Sequence, residues 1–209
     1  MNHPLHEQVR GYYERKLQAH GPTPTGVDWN SQASQELRFA QLARLWGDER
    51  HASILDFGCG YGALLPWLRA RGFDGPYGGF DLSAAMVAAG QQAAADARLT
   101  GWRLTADRDS LTGADFVVAS GIFNVRMDTP DHEWRDYVRA TIDELASLAG
   151  QGFAFNALTS YSDADRRRPD LYYADPLEWF DYCKRTHSRS VALLHDYPLY
   201  EFTMIVRRG

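Results

Sequence analysis

The chain has 209 residues, of which 44% are hydrophobic and 23% charged. Those proportions exclude wholesale disorder and fit one domain, or one domain with a small appendage, because single cores stop growing at roughly 250–300 residues. With 22 Lys plus Arg against 27 Asp plus Glu, the formal charge of −5 argues against a sequence-independent nucleic-acid binder, which needs a basic surface to displace counterions.

Residues 1–50 read as helical with one interruption. A helix is expected from His6 to Gln18, and the prolines and glycines of residues 20–26 then break it. Asn30 or Ser31 can cap a second helix to about Trp46, with Leu37, Leu42, Leu45 and Trp46 as its apolar stripe. From residue 53 strands alternate with helices. The expected strands are Ser53–Phe57, Pro76–Phe80, Trp102–Thr105, Asp115–Ala119 and Gly152–Leu158. The helices between them are expected over Tyr61–Arg71, over Ser83–Ala97 with Ser83 as cap, and from Thr129-Pro130 to about Leu148. Asp175-Pro176-Leu177-Glu178 resembles a capping box that opens a helix through Lys184. Val191–Leu194 and Glu201–Val206 are too close in sequence to be joined by a crossover helix, so they should form an antiparallel pair. The alternation predicts an α/β fold, a mostly parallel sheet with helices on both faces. No stretch approaches the roughly 18 apolar residues of a membrane span, and the N-terminus lacks the apolar core of a signal peptide. A soluble, cytoplasmic protein that does not bind membranes is the expectation.

The sharpest motif is Asp56-Phe57-Gly58-Cys59-Gly60-Tyr61-Gly62-Ala63, between the first strand and its helix. Glycines there let a ligand approach the backbone closely. Residues 58–63 satisfy the dinucleotide pattern G-x-G-x-x-G/A. Asp56 with Gly58, Gly60 and Gly62 also reads as D-x-G-x-G-x-G, and here the chain resembles the class I S-adenosylmethionine-dependent methyltransferases. A carboxylate at Asp56 would repel a pyrophosphate but welcome an ammonium group, which favours the second reading. The resemblance covers about residues 50 to 207. It implies a Rossmann-like fold with a seven-stranded sheet, an antiparallel C-terminal strand and a helical N-terminal cap over residues 1–50, ahead of a cofactor-binding domain at 51–209. It implies S-adenosyl-L-methionine as cofactor and S-adenosyl-L-homocysteine as product.

The resemblance also assigns residues. Asp56, Gly58, Cys59 and Gly60 would surround the methionine half of the cofactor. Asp81, ending the second strand, would accept from both ribose hydroxyls, as a carboxylate can. Leu82 and Met86 would also line the cofactor site, and Asp107, or its rival Asp109, would meet the adenine amino group. Ser120 and Gly121 would pass between cofactor and acceptor. Arg38 would meet the cofactor carboxylate. For the chemistry, Asn124 could orient a nucleophile by accepting a hydrogen bond, and His195, beside Asp196 and Tyr197, is a candidate base. Tyr12, Tyr13, Trp29 and Tyr197 are the candidate substrate-binding aromatics, the first three on a lid. The scattered histidines and the two cysteines, Cys59 and Cys183, show no metal-ligand spacing, so no metal is expected. Methyl transfer to oxygen or nitrogen of a small molecule is the expected function, with a monomer or homodimer as the working form. An NAD(P)-dependent oxidoreductase and a non-catalytic S-adenosylmethionine binder are the alternatives.

Overall fold

The apolar run Ile54–Phe57 forms a strand, β1, that is buried at all four positions. Burial on both faces is the signature of a parallel strand covered by helices. β1 pairs in parallel with β2 (Tyr77–Phe80) on one side and β4 (Ala114–Ala119) on the other. β3 (Trp102–Thr105) extends the sheet beyond β2, and β5 (Ala149–Leu158) beyond β4. β6 (Ser190–Leu194) and β7 (Glu201–Arg207) form the expected antiparallel pair. β7 inserts next to β5, giving the seven-stranded order β3-β2-β1-β4-β5-β7-β6. A computed structural model describes this arrangement for residues 4–209.

Six α-helices cover the sheet: α1 (Pro4–His20), α2 (Gln32–Ala43), α3 (Leu64–Ala70), α4 (Ala84–Asp96), α5 (Asp131–Leu148) and α6 (Pro176–Thr186). Their starts follow local chemistry. Ser31 and Ser34 each bond the other's backbone N–H, closing a capping box on α2. Ser83 caps α4 through the Met86 N–H. Two expectations shift. The cap of α5 is Pro130, one residue beyond Thr129; it has no side-chain cap bond, and its carbonyl accepts from Trp134 N at 3.0 Å. Asp175 caps α6 by accepting from Leu177 N, but Glu178 pairs with Arg135 on α5 and does not close a box.

Two apolar clusters sandwich the sheet. On one face Phe57, Phe80, Val117 and Phe155 meet Trp134 and Ile142 of α5 and Trp179 of α6. On the other, Ile54, Val118, Ala154 and Ile205 meet Leu65 and Leu68 of α3 and Phe39 and Leu42 of α2. Thus α2 is part of the core layer, while α1 lies nearer the rim described below. The stripe of α2 also differs from the expectation: Phe39 and Arg38 are buried and Leu37 is only half-buried. No described helix is long and apolar enough to cross a membrane.

Phe155 is 1% exposed and stacks edge-to-face on Phe123 at 5.4 Å. Phe155→Ala is expected to lower the unfolding free energy by about 3–5 kcal/mol. In urea denaturation the midpoint falls while the slope stays unchanged; an unmoved midpoint would contradict this packing.

Candidate active site

Strand order reverses between β1 and β4, and the loops leaving their carboxyl ends face each other across a crevice. In α/β sheets this is where ligands bind. The loop after β1 turns through Gly58, Gly60 and Gly62 at positive φ. A Cβ on Gly58 would stand 2.2 Å from Ile122 Cγ2 of the opposite loop, so only glycine lets the two loops close to this distance. The resulting cleft holds about 940 Å³ counting its open mouth, within the roughly 300–1,000 Å³ range of small-molecule sites.

Two acids sit in this cleft. Asp81, at the end of β2, accepts from Gly60 N at 2.8 Å and Ser83 N at 2.9 Å. Both oxygens are fixed in place and keep lone pairs for a ligand. Burial raises its pKa, against those two bonds. Asp56 is 4% exposed and accepts from Tyr77 Oη at 2.7 Å. Burial pushes its pKa up to about 7, opposed by the Tyr77 bond and assisted by the charge of Asp81. The remaining wall is largely apolar, with Phe57, Phe80, Leu82, Met86, Ile122 and Tyr137. Two carboxylates in an apolar cleft suit a cationic cofactor and oppose a pyrophosphate. S-adenosylmethionine therefore fits this donor set.

Cys59, Ser120 and Gly121 also line the cleft. The Cys59 thiol is buried and its pKa is raised by burial, which makes it a poor nucleophile. Asp107 does not reach the cleft: it caps the short 3₁₀ turn Arg108–Ser110 by accepting from Asp109 N at 3.1 Å.

A second cavity opens beside the first, at the carboxyl ends of β4 and β5 and the start of β7. Tyr13, Val27 and Trp29 line both cavities. Trp29 lies over Gly121, where an added Cβ would be 2.5 Å from its ring. Asn124, Ser162, Arg168 and Glu201 line only the second. The loop after β5 is stitched over this region by Tyr172 N donating to Asn124 O at 2.8 Å.

Four expected residues are placed differently. Arg38 does not face the cofactor cleft. It donates to both oxygens of Glu201, at 2.8 and 2.5 Å, and its guanidinium lies 3.8 Å from the Trp29 ring centroid. Glu201 is 1% exposed, and a buried carboxylate requires such a partner; removing one member of such a pair costs about 3–5 kcal/mol. His195 lines neither cavity. It is exposed in the β6–β7 turn, with Tyr161 and Phe202 as ring neighbours. Tyr197 also lines neither, and its hydroxyl hydrogen-bonds Thr203 Oγ1 at 2.9 Å. Tyr12 donates to Asp28 Oδ2 at 2.7 Å, at the edge of the second cavity, within a cluster containing Lys16 and Arg168. Burial would raise Asp28, but its bonds from Lys16 and Tyr12 outweigh that and hold its pKa below the ordinary value. Asn124 is where expected but has the opposite polarity: its Oδ1 already accepts from Leu158 N at 3.2 Å.

Glu201, Asp28 and Arg168 escaped the sequence reading. Their partners lie 163, 16 and 140 residues away, so no local pattern marks them. The only trace was β7 running antiparallel, which brings its first residue to the carboxyl-end rim, where Glu201 pairs with Leu158.

The chain matches the family model described as a methyltransferase domain over residues 29–192. It is 53% identical over 163 residues to "Putative methyltransferase Rv1506c" of Mycobacterium tuberculosis, covering 75% of this chain and 93% of that protein. Among solved structures, magnesium protoporphyrin IX methyltransferase from Synechocystis with bound S-adenosylhomocysteine superposes with a TM-score of 0.69 at 19% identity, over 98% of this chain and 99% of that one. The N-methyltransferase NodS from Bradyrhizobium japonicum, also with S-adenosylhomocysteine, gives 0.65 at 16% identity, over 96% and 98%. These structural likenesses concern the fold.

The ionisation of Asp56 sets a pH dependence. In the unfolded chain it ionises near its ordinary value of about 4; in the folded chain it holds its proton to about 7. Between those values the folded state binds more protons, so its stability falls as pH rises through the window. Thermal midpoints of the ligand-free protein should decline from about pH 4 to about pH 7 relative to those of Asp56→Asn. Parallel curves for the two proteins would show that Asp56 is not perturbed.

Proposed function

The chain belongs to the methyltransferase-domain family, and on that premise we propose that it transfers the methyl group of S-adenosylmethionine to an oxygen or nitrogen of a small molecule held in the second cavity. The observation that carries this reading is the pair of adjoining cavities, one around the glycine loop and two acids, the other polar, with Tyr13 and Trp29 lining both.

In this reading Gly58, Cys59, Gly60 and Asp56 take the methionine half of the cofactor. Asp81 takes the ribose hydroxyls, and Leu82 and Met86 the adenine side. The bound cofactor supplies a methyl group on a positively charged sulfur, which is already a good leaving group. The chain's own part is then to orient the acceptor and exclude water. Orientation of this kind can supply roughly 7–11 kcal/mol of the barrier. Ser120, Gly121 and Asn124 position the acceptor, and α1 with the segment up to α2 supplies the lid through Tyr13 and Trp29. The Arg38–Glu201 pair holds Trp29 in place.

The binding half of the test is calorimetry with S-adenosylhomocysteine. Asp81→Ala removes hydrogen bonds to a charged group, and its affinity is expected to fall about 10–100-fold. Heat with NADH and none with S-adenosylhomocysteine would overturn the cofactor assignment. For the reaction, methyl-labelled S-adenosylmethionine is incubated with the protein and a cell extract separated by size. Label is expected in the small-molecule fraction; label in protein or nucleic acid alone would overturn the acceptor class.

A further inference from the structure

Asn124 is 6% exposed, lines the second cavity and stands beside Gly121 of the first. Its amide orientation is settled by the backbone. Leu158 N–H can only donate, so the atom 3.2 Å from it is the side-chain oxygen. The amide nitrogen Nδ2 therefore points the other way. It lies 3.7 Å from where a Cβ on Gly121 would stand and has no hydrogen-bond partner among the described residues. Nδ2 is therefore an uncommitted donor, available to a ligand in the cavity that Asn124 lines.

The same polarity recurs next to it. Asn156 is fully buried; its Oδ1 accepts from Gly121 N at 2.8 Å, and its Nδ2 donates to Ser120 Oγ at 3.2 Å. Ser120 Oγ thus accepts a hydrogen bond from Asn156 and keeps its own proton to donate into the cofactor cleft, which it lines. Two amides, each fixed by a backbone N–H, leave the segment from Ser120 to Asn124 presenting donors.

The acids and phenols of the second cavity are committed elsewhere. Asp28 is engaged by Lys16, Tyr12 and Arg168. Glu201 is engaged by Arg38. Burial keeps the Tyr13 phenol protonated, Tyr200 donates to Asp163, and Tyr173 Oη accepts from Arg168 N. His195 is outside. Arg166, at the cavity's mouth, is 70% exposed and pairs with Asp165 at 3.8 Å. A hydroxyl or ammonium acceptor must lose a proton, and among the described residues no group lining this cavity stands free to take it, whereas the Asn124 donor suits an acceptor that arrives without one.

We infer that the acceptor atom of this site is an oxygen already anionic at neutral pH, that of a carboxylate, and that Asn124 Nδ2 holds it. The inference rests on the methyltransferase reading above. The transfer then balances without a proton. The carboxylate oxygen forms the new O–CH₃ bond, the C–S bond breaks with its electron pair passing to sulfur, and the two opposite charges cancel in a neutral methyl ester and a thioether.

The test uses protein saturated with S-adenosylhomocysteine, titrated calorimetrically with benzoate, benzyl alcohol and benzylamine. Benzoate is expected to bind about tenfold or more tighter than either matched compound. Asn124→Asp keeps an oxygen for Leu158 N–H and turns the donor into an acceptor. It should cost benzoate at least about tenfold in affinity and shift preference to benzylamine, while S-adenosylhomocysteine affinity is unchanged. Methyl benzoate formation should release no proton in weakly buffered solution, because benzoic acid, like other carboxylic acids, is already ionised at neutral pH. Absent benzoate binding, equal or tighter binding of the alcohol or amine, or full benzoate affinity in Asn124→Asp would overturn the inference. Failure of S-adenosylhomocysteine to bind would overturn the cofactor reading beneath it.

Discussion

The reversal of strand order at β1 and β4 is the constraint on which the rest of this molecule depends. Crossovers leave these two neighbours in opposite directions, so no helix covers their carboxyl ends. The two loops are left facing each other, and their separation is set by Gly58 against Ile122. Every polar group with a proposed role stands at this opening or at its extension along β5 and β7. A side chain at position 58 would force the loops apart and open the cleft from its base.

The second cavity depends on a long-range charge pair. Arg38 on α2 and Glu201 at the start of β7 meet through two hydrogen bonds, and the guanidinium also supports Trp29. One buried pair thereby ties the core-layer helix, the last strand and the aromatic partition between the cavities. The Asp28 cluster does similar work nearer the surface, where Lys16 and Tyr12 of α1 and Arg168 of the loop after β5 converge on one carboxylate. Fixed charges inside the wall leave Nδ2 of Asn124 as the uncommitted polar group at the junction.

The parts legible in the sequence were those written in local pattern. Continuous apolar runs marked the strands, Ser31 and Ser83 marked helix starts, and the spacing of Asp56, Gly58, Gly60 and Gly62 marked the cleft. The close approach of the last two strands announced their antiparallel pairing. Misreadings arose where a residue's partner is distant. Arg38 looked free for a ligand because Glu201 is 163 residues away. Asn124 looked like an acceptor because nothing in sequence couples it to Leu158. His195 fell beside the rim rather than inside it, since a turn's facing follows from strand packing. Asp107 is the exception, a local feature read too ambitiously: an acid two residues before an exposed N–H is first of all a cap.

The placement of β7 also affects how the chain can assemble during synthesis. β6 is made first, yet its only neighbour in the sheet is β7, made after it. Until Glu201–Arg207 emerges from the ribosome, β6 has nothing to pair with and β5 presents a bare ten-residue edge, the kind of surface on which chains stick to one another. Between the synthesis of β5 and that of β7 the nascent protein therefore carries an open sheet edge, and the step that closes it also brings Glu201 to Arg38.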